Sequence, residues 1–239
     1  MSNPVMIWWS ALSAIALFNV VVWCLSARVL RHNRAALPES VYRTRRQLLW
    51  LSAAYVAGCG FRSVLPMVDV PRLCLHDTAL SFIFAGRTVA TIAELCFAAQ
   101  FALLLREAGV STARRSAVLL SRLLVPLIVM AEAFSWYAVL TSNFLMHAVE
   151  NSLWTIAAAL ALAGFASVRR QLDARGRTFI AAVLVCGLTY VAFMGVVDVP
   201  MYLSRWQSAL AEGRQELSVA VGLRELLDRC NVVREWASW

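Results

Sequence analysis

Not one lysine occurs among the 239 residues, so all 22 basic side chains are arginine. A retinal-type Schiff base, or any covalent chemistry carried by a lysine amine, is thereby excluded. The six cysteines form no CxxC, which removes zinc ribbons and thioredoxin-like redox motifs. No glycine-rich phosphate loop is present, so no nucleotide is expected. No serine stands in a G-x-S-x-G context. There are only three histidines, and His32 sits in an arginine-rich loop, a poor basis for bis-histidine haem or a His-rich desaturase centre. The dyad alternation of a membrane β-barrel is missing too.

What is present is apolar length. Hydrophobic residues make up 61% of the chain and its mean hydropathy is +0.68, against about 45–50% apolar residues in soluble domains. Most of these residues lie in blocks long enough to cross a bilayer as helices. The pattern predicts an all-α, polytopic integral membrane bundle with about six transmembrane helices, over residues 5–30, 47–65, 79–105, 116–140, 147–168 and 178–199, the last closed by Pro200. The first stretch is too long for a cleaved signal peptide and reads as a retained span.

The net charge of +8 does not call for nucleic acid. Its arginines cluster beside the spans, in three short loops around Arg28–Arg46, Arg106–Arg115 and Arg169–Arg177. The positive-inside rule places those loops in the cytoplasm and both termini on the opposite side, as expected for a bacterial inner (plasma) membrane protein. Trp8, Trp9, Trp136, Tyr137, Tyr202 and Trp206 then form an outer aromatic belt. The bilayer is the expected partner, with either a lipid-phase small molecule or another membrane protein as the second.

Residues 1–204 are read as the transmembrane domain and 205–239 as an amphipathic tail on the non-cytoplasmic face. In that tail Val219, Leu223, Leu226, Leu227, Cys230 and Val233 recur at helical spacing. The match of Val68-Asp69-Val70-Pro71 with Val197-Asp198-Val199-Pro200 has flanks that barely align, and reads as coincidence. Cys59 and Cys74 both fall at the outer margin and are the expected disulfide, with Cys74–Cys230 the remaining pairing should geometry forbid the first.

Ionisable groups inside a membrane cost about 2.5–3.5 kcal/mol each on insertion scales, so they tend to face the bundle interior and mark function. Here they gather in the outer half. Arg87, Thr91 and Glu94 share one face of the third span; Glu132 with Ser135 and Trp136 lies on the fourth; His147, Glu150, Asn151 and Trp154 open the fifth. Asp198, Tyr202 and Arg205 close the sixth, and the outer loop adds Arg62, Asp69, Arg72, His76 and Asp77. One outward-facing cavity would relieve all of these charges together; isolated packing ion pairs are the plainer reading of any one of them.

The first function this suggests is a small membrane enzyme. Glu94, Glu132, His147, Glu150 and Asp198 would supply acid/base chemistry, and Arg62, Arg72, Arg87, Thr91, Trp136, Asn151, Trp154 and Tyr202 would hold a lipid-phase or periplasmic substrate. A non-catalytic membrane partner or assembly protein ranks second. A transporter ranks third, because the inner halves of the spans carry little beyond Gln100 and Arg122. His147 and Glu150 at i, i+3 invite a metal, but neither of the Glu-x-x-His motifs of a di-iron site is present. No metal is therefore assigned, and no cofactor is named.

Overall fold

The computed structural model describes residues 3–238. Met1, Ser2 and Trp239, on which the two terminal expectations partly rest, lie outside the described residues. The chain is all-α, and five of its helices are long and apolar enough to cross a membrane. It forms two compact units. One runs to Phe97 and resumes at Leu223; the other is Ala98–Gly222.

In the first unit, α1 (Asn3–His32) and α2 (Glu39–Val64) form an antiparallel hairpin. Indole N–H groups of α1 fasten it to the backbone of α2: Trp9 donates to the Val64 carbonyl at 3.0 Å and Trp23 to that of Leu49 at 2.9 Å. α1 buries only Val5, Ala16 and Ala27, while Ile7, Leu17 and Phe18 are each 66% exposed, a surface suited to lipid. α2 is long enough to span but is not among the five apolar helices. Its first turns carry Arg43, Arg45 and Arg46, and Arg62 lies near its end. It meets α3 (Ile83–Ser111) at a seam of small residues, where a Cβ on Gly58 would come within 2.5 Å of the Ala93 Cβ.

Between α2 and α3 the loop is built rather than irregular. β1 (Met67–Val68) pairs antiparallel with β2 (Leu73–Cys74), and β3 (Asn231–Val232) from the C-terminal segment adds in parallel to β2. Cys74 is bonded to Cys230, with Cα atoms 5.8 Å apart. The expected Cys59–Cys74 bond does not form, and Cys59 is free. The reason is directional: Cys59 is held inside α2, whereas the strand pairing lays Cys230 alongside Cys74.

In the second unit, α4 (Arg115–Thr141) and α5 (Phe144–Val168) pack along their whole length. α4 turns a buried stripe inward through Ser121, Leu124, Ile128, Ala131, Glu132, Ser135 and Ala138. Its C-terminal residue Ser142 is left-handed, and the Asn143 side chain accepts a hydrogen bond from the Met146 N–H, capping α5. The outer turn thus shrinks to Ser142 and Asn143. α6 (Ala174–Phe193), capped by Asp173, runs on through a π-helical turn at Met194–Asp198 into α7 (Val199–Ala211).

Pro200 therefore does not close the last span. The wider turn just before it accommodates the proline within the helix, which continues to Ala211. The tail's non-helical part begins at Glu212. α8 (Val219–Leu227) is shorter than the apolar spacing suggests, for Cys230 leaves the helix to join the disulfide and Val233 follows β3, its N–H donating to the Cys74 carbonyl. The two copies of Val-Asp-Val-Pro fall in a strand hairpin and inside a helix, in keeping with coincidence.

Candidate functional site

Polar residues of the candidate site are found in both units. In the first unit an alternating chain of charge links three elements. Arg62, near the end of α2, donates to the Met67 carbonyl at 2.9 Å and lies 3.6 Å from one carboxylate oxygen of Asp69. The other oxygen of Asp69 lies 3.6 Å from Arg87, whose second terminal nitrogen is 3.5 Å from Glu94. The Arg87 side chain is 6% exposed, that of Glu94 29%. Two cations and two anions alternate, so the group balances its charge. Distances of 3.5–3.6 Å are those of ion pairs rather than of short charge-assisted hydrogen bonds.

Thr91 lies half-buried between Arg87 and Glu94 on α3. Arg72 is engaged elsewhere, paired with Glu225 of α8. His76 packs its ring edge-on to Trp9, centroids 5.1 Å apart, and its buried Nε2 has no hydrogen-bond partner. Burial, and secondarily the charge of Arg234, hold the His76 imidazole below its ordinary pKa. Asp77 pairs with Arg229 at 2.9 Å on the exposed rim.

In the second unit the polar residues of α4, α5 and the helix leading into α7 come together. Glu132 is 4% exposed, His147 7% and Glu150 6%. His147 Nδ1 lies 2.9 Å from Glu150 Oε2, as the i, i+3 spacing allows. Carboxylate oxygens of Glu132 and Glu150 approach within 4.8 Å of one another.

Beside this group, α5 meets the π turn and α7 at two rungs. The Asn151 side-chain amide donates to Asp198 Oδ2 at 2.6 Å. One turn higher, the His147 ring stacks on Tyr202 with centroids 5.1 Å apart and planes at 30°. Arg205 lies over the Tyr202 ring, 5.8 Å from its centroid. Trp136 and Trp154 are half-buried on α4 and α5. Ser135, fully buried one turn above Glu132, has no hydrogen-bond partner for its hydroxyl.

The stretch after α7, which the sequence places in an amphipathic tail, crosses the end of this unit where α4 turns into α5. Asn143 donates to Glu216 at 2.5 Å, the Leu217 N–H donates to the Thr141 carbonyl at 3.0 Å, and Arg214 lies 5.6 Å over the Phe144 ring. Only the mixed charge of the tail hinted at such docking. Comparisons of the chain with protein-family models, curated proteins and solved structures return no match.

Proposed function

We propose that the chain is a small enzyme of the bacterial inner membrane, with acid/base chemistry carried by His147, Glu150 and Glu132. The observation that carries this reading is the buried His147–Glu150 pair with a second buried carboxylate, Glu132, within 4.8 Å of Glu150. Glu150 fixes the imidazole through Nδ1 and leaves Nε2 to take or give a proton. Glu132 serves as the complementary acid or base. The substrate comes from the lipid phase or the periplasmic side and is oriented by Asn151, Trp136, Trp154 and Tyr202.

Both termini lie on the non-cytoplasmic side in this reading. The arginine-rich loops support that orientation, and the Cys74–Cys230 bond supports it independently, since disulfides persist in oxidising compartments. α2 crosses the membrane as a sixth span, supported by its antiparallel pairing with α1.

The test reconstitutes the purified protein in vesicles of total bacterial lipid and follows lipids and added soluble metabolites by untargeted mass spectrometry. Wild type should convert at least one compound that H147Q, E150Q and E132Q leave untouched at equal membrane abundance. No difference between wild type and all three variants would overturn the enzyme reading.

One observation favours a non-catalytic membrane partner instead. Arg62, Arg72 and Arg87 are each already engaged by a carboxylate, so a substrate anion at any of them competes with Asp69, Glu225 or Glu94. In that case the same three variants should leave chemistry unaltered, while cross-linking in intact membranes recovers a second membrane protein with wild type.

A further inference from the structure

We infer that Pro200 is a positioning residue, which sets the π turn at Met194–Asp198 and through it aligns Asp198 and Tyr202 with Asn151 and His147. This rests on the reading of His147 and its neighbours as the working site.

The argument begins with helix geometry. In an unbroken α-helix, residues four apart drift by about 40° around the axis and residues eight apart by about 80°. Met194, Asp198 and Tyr202 stand four and eight apart, yet all three turn toward α5: Met194 is buried, Asp198 accepts from Asn151 and Tyr202 stacks on His147. One wider turn, with i→i+5 hydrogen bonds, absorbs an extra residue and cancels most of the drift. That turn is present between them. The Val199 N–H bonds to the Met194 carbonyl, five residues back.

Pro200 supplies the reason for the wide turn at this place. Within a continuous α-helix its ring would clash with the carbonyl of Val196, four residues earlier, and it would offer that carbonyl no N–H. The π turn removes the conflict. The extra residue bulges outward: Val196 is 75% exposed and a Cβ on Gly195 would meet nothing within 4 Å. The outward bulge and the inward rungs are two faces of one arrangement. Asp198 has no side-chain capping bond to the helix it precedes, so its carboxylate serves Asn151 and not the local backbone.

An alanine at 200 restores the N–H and lets the stretch anneal to a regular α-helix. Tyr202 then swings off the α5 face. Removing one bulge residue as well, by deleting Val196 in the P200A background, brings Met194 and Tyr202 back to seven apart, within about 20° of alignment.

The readout is the His147 ring in protein reconstituted in nanodiscs, observed by NMR with isotope-labelled histidine. The sequence has only three histidines, and H147Q assigns the signal. The stacked Tyr202 ring should shift the His147 signal, and Y202L should abolish that shift. P200A should abolish it likewise, and P200A with Val196 deleted should restore it. A His147 signal unchanged in P200A, or one lost in P200A and not recovered by the deletion, overturns the inference. No substrate enters this measurement, so its outcome is independent of whether the chain catalyses a reaction.

Discussion

Arg87 reaches Glu94 across two turns of the same helix, at 3.5 Å, while its other terminal nitrogen faces Asp69 of the outer hairpin at 3.6 Å. The arginine thereby ties the helix to the loop above it. Replacing it with alanine removes the cation that Asp69 and Glu94 share. Breaking a buried pair from one side costs about 3–5 kcal/mol, and Arg87→Ala should lose stability of that order in unfolding measured in detergent micelles. Glu94→Gln should cost clearly less, since Glu94 is 29% exposed and Asp69 still faces the guanidinium. Equal losses would mean that Asp69 contributes nothing.

Thiol labelling checks the cysteine pairing directly. Cys24, Cys59, Cys96 and Cys186 are free, so the denatured, unreduced protein should take up four labels, and the reduced protein all six. C230S should expose Cys74 as a fifth. Six labels before reduction would show the bond to be absent.

Orientation can be read with reporters. A reporter active only in the cytoplasm should work when fused after Arg34, Arg114 or Arg175 and be silent after Trp239. Activity at the C-terminus would mean that an odd number of spans is crossed, and α2 would be the first to reconsider.

His76 should make stability depend on pH. Its folded-state pKa lies below the unfolded value, so between the two the unfolded chain binds more protons. The contribution is complete above the unfolded pKa, about 6.5, and is lost as pH falls through the folded value. The midpoint of thermal unfolding should therefore fall on the acid side of neutrality, and His76→Gln should flatten that part of the profile. A wild-type profile that stays level there would contradict the assignment.

The apolar blocks and arginine loops located the helices well, because span length and flanking charge are local properties. The start of α4 and the end of α5 were legible to within one residue of the expected span. Long-range pairing was not. Nothing near Cys74 reports that a strand 156 positions later will lie beside it, and nothing near Arg72 names Glu225. Pro200 misled for a different reason: the same residue ends a helix or begins its next segment, and only the π turn before it decides which. Among the site residues, i, i+3 spacing put His147 beside Glu150 correctly. The rungs Asn151–Asp198 and His147–Tyr202 needed to be known as neighbours first, since a helix face gives a direction without an address.

The bond between Cys74 and Cys230 also imposes an order in time. The chain is made from its N-terminus, so Cys74 is in place while most of the long helices are still unmade. It waits through the synthesis of 156 further residues before its partner arrives, with Cys59 only fifteen positions away throughout. The helical hold on Cys59 and the early β1–β2 hairpin thus act as custody of a thiol. A chain truncated before Cys230 would leave Cys74 open to mispairing, and cells should discard such products even though every membrane span is present.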